Sequence, residues 1–196
     1  MVGCTETMEA VLIDPGEEAE LFLRRLDHEN FVLKSVWLTH GHLDHVDGVK
    51  QIVDETGAEV FLHPDDRELY DRLVQQGAAW GLHPQNPPPP DHDLAHGDEL
   101  RVGESSFSVL HVPGHSMGGV AFLGYGVVFV GDALFAGSIG RTDLPGGDTE
   151  TLLTSIREQL LSLPDETVVY PGHGPETTVG AERRTNPFLK GDYGAL

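Results

Sequence analysis

The chain has 196 residues, of which 39% are hydrophobic and 22% charged, a composition that favours a single globular domain over 1–196 and excludes a disordered chain. Its 32 acidic and 12 basic residues give a net charge of −20, and such a field repels phosphate backbones, so we expect no nucleic-acid partner. No apolar run approaches the ~18 residues of a membrane helix, and the N-terminus shows no secretory signal, so we expect no membrane contact and a cytoplasmic location.

Apolar stretches alternate with stretches of helical spacing, which predicts a layered α/β domain. In chain order we expect strand 9–14, helix 17–29, strand 33–39, helix 46–56, strand 59–62, helix 65–75, strands 99–102, 105–112, 119–124 and 127–130, helix 149–161 and strand 167–170, with a short helix near 182–184. Residues 76–97 carry five prolines and no clear periodicity, so we expect a long loop that is functional or mobile.

The most specific segment is Thr-His-Gly-His-Leu-Asp-His at residues 39–45, between an apolar strand and a helical stretch. His40 and His42 lie two residues apart, so an extended backbone directs both imidazoles to the same side. Asp44 and His45 fall where the chain turns into the helix and can face the same pocket. This mixture of nitrogen and carboxylate donors suits Zn²⁺, Fe²⁺ or Mn²⁺.

Three more candidate ligands follow the ends of other predicted strands, namely His115, Asp132 and His173. Because open α/β sheets place their sites at the carboxyl ends of strands, we expect these residues to join those of the 39–45 segment. Seven ligands exceed the needs of one tetrahedral metal. The pattern therefore predicts two divalent metal ions that share the Asp132 carboxylate.

These motifs resemble those of the metallo-β-lactamase superfamily. The resemblance lies in THGHLDH at 39–45, PGHSMGG at 113–119, GDALF at 131–135 and YPGHGPET at 170–177. Within the superfamily, GSIGRTD at 137–143 and TNPFL at 185–189 are similar to the glyoxalase II branch, the hydroxyacylglutathione hydrolases, and in particular to its short bacterial members. The resemblance implies a four-layer αββα sandwich. It also implies one or two strands before residue 9, which we expect to be reduced or missing here.

The resemblance further implies a ligand set and a reaction. One metal would be held by His40, His42 and His115 and the second by Asp44, His45 and His173, with Asp132 and a hydroxide bridging them. The hydroxide would attack the thioester carbonyl of S-lactoylglutathione or a related small acyl-thiol, and Asp44 would help to hold it. Zinc is the expected metal, with iron or manganese as alternatives. The choice between a monomer and a homodimer stays open.

A second enzyme class shares this fold and the Gly-Arg-Thr-Asp string at 140–143. Persulfide (sulfur) dioxygenases resemble the chain there and use a single iron held by two histidines and one aspartate. In this sequence the ligands of that iron would come from His40, His42, His115 and Asp132.

Two other residues have two possible roles each. Arg141 is a candidate for binding an anionic group of the substrate, and alternatively forms an ion pair with Asp143 that shapes its loop. Asp14 ends a strand beside the site, where it either orients the 39–45 loop or acts as a turn residue before Pro-Gly.

Overall fold

A computed structural model describes residues 1–190. The chain divides into two compact units, the first made of residues 1–94 and 99–106 and the second of residues 95–98 and 107 onward. The predicted single domain over 1–196 extends beyond the described residues and stays a prediction. The mixture of sheets and helices confirms the expected α/β class.

The first unit contains a five-stranded sheet in the order β1-β2-β3-β4-β5. Its strands are β1 (Val2–Cys4), β2 (Glu9–Ile13), β3 (Val32–Trp37), β4 (Glu59–Leu62) and β5 (His92–Asp93). The β1 strand is antiparallel to β2, and all other neighbours are parallel. Since Ile13 is paired with Trp37, β2 and β3 end side by side. The residues that follow these two strands therefore leave the sheet at the same edge.

Helices of the first unit cover its sheet. They are α1 (Ala19–Glu29), α2 (Leu43–Val46), α3 (Val49–Thr56), a 3₁₀ turn (Pro64–Asp66), α4 (Arg67–Asp71) and α5 (Leu73–Ala79). Their apolar faces and the sheet form one core that includes Leu12, Leu26, Val36 and Ile52. The α1 helix ends where Asn30 adopts the left-handed conformation, with φ 59°.

A second sheet has six strands in the order β13-β12-β9-β8-β7-β6, beside a two-stranded hairpin, β10-β11. The strands are β6 (Glu99–Val102), β7 (Ser105–His111), β8 (Val120–Gly124), β9 (Val127–Gly131), β10 (Leu134–Phe135), β11 (Ser138–Ile139), β12 (Val168–Pro171) and β13 (Thr177–Thr178). The β9 and β12 strands run parallel, whereas β8 is antiparallel to β7 and β9.

The second unit has its own core. It is built on α6 (Thr149–Ser155), a π-helical turn (Ile156–Leu160) and α7 (Val179–Thr185). Leu152, Ile156 and Val179 of these elements pack with Val128 and Val169 of the sheet. Asp148 caps α6, because its side chain accepts a hydrogen bond from Thr151 N.

Residues 2–4 form β1, a three-residue strand, in agreement with the expectation that the strand before residue 9 is reduced. Several other expectations about the elements are wrong. The predicted helices 46–56 and 65–75 are each divided, and the predicted helix 149–161 changes to π geometry at Ile156. Short strands β5, β10, β11 and β13 were not expected, because two-residue strands carry no readable alternation. The 76–97 segment is partly ordered by α5, and the Tyr70 hydroxyl donates to Pro88 O.

At the break between α2 and α3, the backbone of Gly48 lies against the turn that follows β2. Gly48 N donates to Pro15 O at 3.0 Å, and a Cβ on Gly48 would collide with the carbonyl oxygens of Pro15 and Gly16. The close approach needs a glycine and holds the turn after β2 against the start of α3. Within the described residues, no helix is both long and apolar enough to cross a bilayer.

We expect Gly48→Ala to lower the free energy of unfolding by about 2 kcal/mol or more, because backbone atoms cannot yield to the new methyl group. Gly57→Ala is the matched control, since Gly57 has φ 69° but open space around its Cβ position. That substitution should cost only the backbone strain, about 1 kcal/mol. Urea unfolding measures both. Equal losses would contradict the steric account.

Candidate metal centre

Three imidazoles of the first unit cluster just beyond the end of β3. His40 and His42 lie in extended backbone after the strand, and His45 lies on α2. The ring centroids of His40 and His42 are 4.8 Å apart, and those of His40 and His45 are 4.1 Å apart. All three side chains are buried, whereas Asp44 on the first turn of α2 is half-exposed. The extended segment and the short helix thus bring the four predicted ligands together within this unit.

Asp14 lies behind this cluster. Its Oδ1 accepts from Thr39 N at 2.7 Å, and its Oδ2 accepts from Thr39 Oγ1 at 2.6 Å and contacts His45 Nδ1 at 2.9 Å. The backbone of Asp14 is left-handed, with φ 48°, a conformation that aspartate tolerates better than most residues. The structure therefore places Asp14 where the first of its two predicted roles requires it.

These contacts determine which nitrogen of each neutral ring carries the proton. A carboxylate oxygen can only accept, so His45 Nδ1 must donate to Asp14. The single hydroxyl proton of Thr39 goes to Asp14, so the same oxygen must accept from His40 Nδ1 at 3.0 Å. Both rings consequently carry their lone pair on Nε2, the atom that a metal would need.

The backbone of the ligand loop is held by two side chains that the sequence analysis did not identify. Asp66 Oδ2 accepts from Gly41 N at 2.9 Å. The Gln76 amide accepts from Leu43 N at 3.1 Å and donates to Gly41 O at 3.1 Å. Polar residues of these types are common on helix surfaces, so nothing in the sequence pattern distinguished them.

The other three predicted ligands lie together in the second unit. His115 follows β7, Asp132 follows β9 and His173 follows β12. Asp132 Oδ2 is 3.8 Å from His115 Nε2 and 3.7 Å from His173 Nε2. His115 and Asp132 are mostly buried, whereas 54% of the His173 side chain is exposed. One carboxylate oxygen thus lies between two imidazole nitrogens, the arrangement expected of a shared ligand.

His115 has its tautomer set by a backbone carbonyl. Its Nδ1 lies 2.7 Å from Arg141 O, which can only accept, so Nδ1 carries the proton and Nε2 the lone pair. Gly140 makes this possible, since a Cβ there would collide with the Asp132 carbonyl and come within 3.2 Å of His115 Nδ1. Three of the predicted ligands therefore present Nε2 through contacts with their own unit.

Arg141 takes part in the site through its backbone carbonyl, which contacts His115, and through its guanidinium. That group forms a two-bond ion pair with Asp143, with both N···O distances at 2.8 Å. The ion pair raises the pKa of Arg141, and the hydrogen bond from Arg141 lowers the pKa of Asp143 to about 2. The loop-shaping pair is present, and the guanidinium remains exposed enough to meet a ligand as well.

Comparisons with known proteins identify the type of fold. The family model of the metallo-β-lactamase superfamily matches residues 4–173. A hydroxyacylglutathione hydrolase, GloC, from Haemophilus influenzae is 42% identical over 184 residues, which are 92% of this chain and 87% of that protein.

Solved structures agree with the family match. The B3 metallo-β-lactamase BLEG-1 has a TM-score of 0.90 at 40% identity, covering 97% of this chain and 92% of its own. TTHA1623, solved in a di-iron-bound form, has a TM-score of 0.86 at 49% identity, covering 91% and 89%. ETHE1 from Myxococcus xanthus has a TM-score of 0.80 at 34% identity, covering 95% and 76%.

The tautomer assignment predicts a specific effect of Asp14→Asn. With the amide nitrogen in place of Oδ2, the Thr39 hydroxyl would accept from it and donate to His40 Nδ1, and His45 Nδ1 would have to accept as well. Both lone pairs would then leave Nε2, and we expect the affinity for Zn²⁺ to fall at least ~10-fold. Competition with a chromophoric chelator measures the affinity, and ¹⁵N NMR of the imidazoles reports the tautomers.

Asp54→Asn removes the same charge from an exposed Asp54–Lys50 pair and is the control. It should leave both the zinc affinity and the imidazole spectrum unchanged. Parental zinc affinity in Asp14→Asn would contradict the proposed control of the tautomers.

Proposed function

Because the chain belongs to the metallo-β-lactamase superfamily, we propose that it is a two-metal hydrolase that cleaves thioesters of the hydroxyacyl-glutathione type. The observation that carries the proposal is the pair of donor sets, each held in a metal-binding tautomer by its own unit. The 42% identity to a hydroxyacylglutathione hydrolase supports the choice of substrate class.

We assign the predicted ligands to two metals. His40, His42 and His115 would hold the first, Asp44, His45 and His173 would hold the second, and Asp132 would serve both. The mixture of imidazole nitrogen and carboxylate oxygen fits zinc, iron or manganese, and zinc is our first choice. The di-iron form of TTHA1623 supports iron as the alternative.

The bound metals would lower the pKa of water and polarise the thioester carbonyl. The residues of the chain would supply orientation. Asp44 is half-exposed at the start of α2, where its carboxylate can accept a hydrogen bond from the attacking water. That bond would orient the water towards the thioester carbonyl carbon. Asp14 and the Arg141 carbonyl would keep the imidazoles fixed while charge develops on the substrate. A thiol is acidic enough, with a pKa of about 8.5, to leave as the thiolate without a proton.

A mononuclear-iron persulfide dioxygenase is the second candidate. It is favoured by the Gly-Arg-Thr-Asp string at 140–143, and the likeness to ETHE1 fits it. This candidate uses three ligands and leaves His173 without a metal to bind, although the structure places His173 3.7 Å from the Asp132 carboxylate. The hydrolase gives both residues a role.

We expect two metal ions per chain by elemental analysis and thiol release from S-lactoylglutathione. His173→Ala should retain about one metal and lose most turnover, because the second metal would lose one of its two imidazole ligands and keep only His45 and the carboxylates. His92→Ala is the matched control, since its side chain is similarly exposed and stacks on Phe61. Asp132→Ala should nearly abolish turnover while the fold persists.

The alternatives give different results in the same samples. One iron per chain, oxygen consumption with glutathione persulfide and an active His173→Ala would establish the dioxygenase instead. Hydrolysis of a β-lactam without thioester turnover would move the substrate class towards that of BLEG-1.

The charge of the chain predicts how an anionic thioester approaches. With a net charge of −20, long-range repulsion should slow association, so kcat/KM should rise with added salt. Arg141→Ala should raise KM more than it lowers kcat. Asp143→Asn removes the partner of that guanidinium and should lower KM. Steady-state kinetics at several salt concentrations measure all three. A steep fall of kcat/KM with salt would contradict the repulsion.

A further inference from the structure

Glu182 on α7 is a buried carboxylate that the proposed chemistry does not use. Only 2% of the residue is exposed. Its Oε2 accepts from Gly137 N at 2.9 Å and from Asn186 Nδ2 at 2.8 Å, and its Oε1 accepts from Thr177 Oγ1 at 2.6 Å. A buried charge is costly unless it is hydrogen-bonded in this way, so the contacts define where its partners must lie.

The partners of Glu182 follow proposed metal ligands along the chain. Gly137 lies shortly after Asp132, and Thr177 lies shortly after His173. Asn186 strengthens the first connection, because its Nδ2 also donates to Ser138 O at 3.0 Å. Glu182 thus anchors both segments that leave the ligand cluster of the second unit.

The β10-β11 hairpin connects Glu182 with His115. Glu182 and Asn186 hold the turn of the hairpin at residues 137–138. At the opposite end, Gly140 N donates to Ala133 O at 3.2 Å, and the next carbonyl, that of Arg141, accepts from His115 Nδ1. Only two residue pairs form the hairpin ladder, so its position depends on the contacts at its ends.

We propose that Glu182 is a positioning residue, which acts through the β10-β11 hairpin to keep the Arg141 carbonyl on His115 Nδ1 and so keeps the metal-binding lone pair on Nε2. This inference rests on the proposed metal-dependent function. It adds a buried group on α7, distant in sequence from His115, that controls the tautomer of this candidate ligand.

The test compares three variants. Glu182→Ala removes the anchor. Glu182→Gln retains an acceptor for Gly137 N and Asn186 Nδ2, and its amide nitrogen would donate to the Thr177 hydroxyl, which then accepts. Thr178→Ala is the matched control on the same helix, because Thr178 Oγ1 caps α7 by accepting from Ala181 N and does not touch the hairpin.

We expect Glu182→Ala to weaken zinc binding about 10- to 100-fold and to lose the His115 Nδ1–H signal in ¹⁵N NMR of the metal-free protein. Glu182→Gln should remain within a few-fold of the parent. Thr178→Ala should lower Tm while both the zinc affinity and the His115 signal persist. His115→Gln assigns that signal by its absence.

Equal loss of zinc affinity in Glu182→Ala and Thr178→Ala at matched loss of Tm, with the His115 signal retained, would overturn the proposal. Should Glu182→Ala not fold, Asn186→Ala gives the same comparison, since it removes one bond to Glu182 and the bond to Ser138 O. If the parent binds zinc but hydrolyses no thioester, the proposed substrate fails while these readouts still decide the role of Glu182. If it binds no zinc, the NMR signal alone decides.

Discussion

The Asp14 carboxylate is the constraint on which the first half of the metal site depends. Three protein groups donate to it, namely Thr39 N, the Thr39 hydroxyl and the His45 ring. Because the Thr39 hydroxyl donates to Asp14, its oxygen accepts from His40 Nδ1, which sets the tautomer of His40 as well. The parallel pairing of β2 with β3 makes this possible, because it delivers Asp14 and Thr39 to the same edge of the sheet. The left-handed backbone of Asp14 is a modest cost, of order 1 kcal/mol, for a carboxylate that orients two imidazoles.

In the second unit, a backbone carbonyl rather than a carboxylate sets the tautomer of a candidate histidine ligand. His115 Nδ1 donates to the backbone carbonyl of Arg141, and the position of that carbonyl depends on the loop that carries it. Asp14 is positioned by the end of β2. The position of Arg141 O depends on the β10-β11 hairpin, on Gly140 and on the buried contacts of Glu182 and Asn186. Buried hydrogen bonds thus hold Arg141 O in place, whereas the parallel sheet holds Asp14.

The sequence indicated the candidate ligands better than the residues that hold them in place. His40, His42 and His45 could be found because a histidine cluster after an apolar strand is rare, and strand ends indicated His115, Asp132 and His173. Their supports, Asp66, Gln76 and Glu182, are ordinary residues for helices, and their contacts span 25 to 45 positions along the chain. Most strands were predicted, but the helix break at Gly48 depends on the approach of the Pro15 carbonyl, which no local pattern shows.

Membership of the family supports metal-dependent chemistry more firmly than it supports a particular substrate. A hydroxyacylglutathione hydrolase and a B3 metallo-β-lactamase are similar to this chain at 42% and 40% identity, so overall identity does not separate their substrates. The candidate ligands follow strand ends, and the residues that support them make buried contacts. We therefore expect substrate specificity to depend on exposed groups beside the candidate ligands. Arg141 and Asp143 meet that condition, because their ion pair is exposed while the Arg141 carbonyl contacts His115 Nδ1.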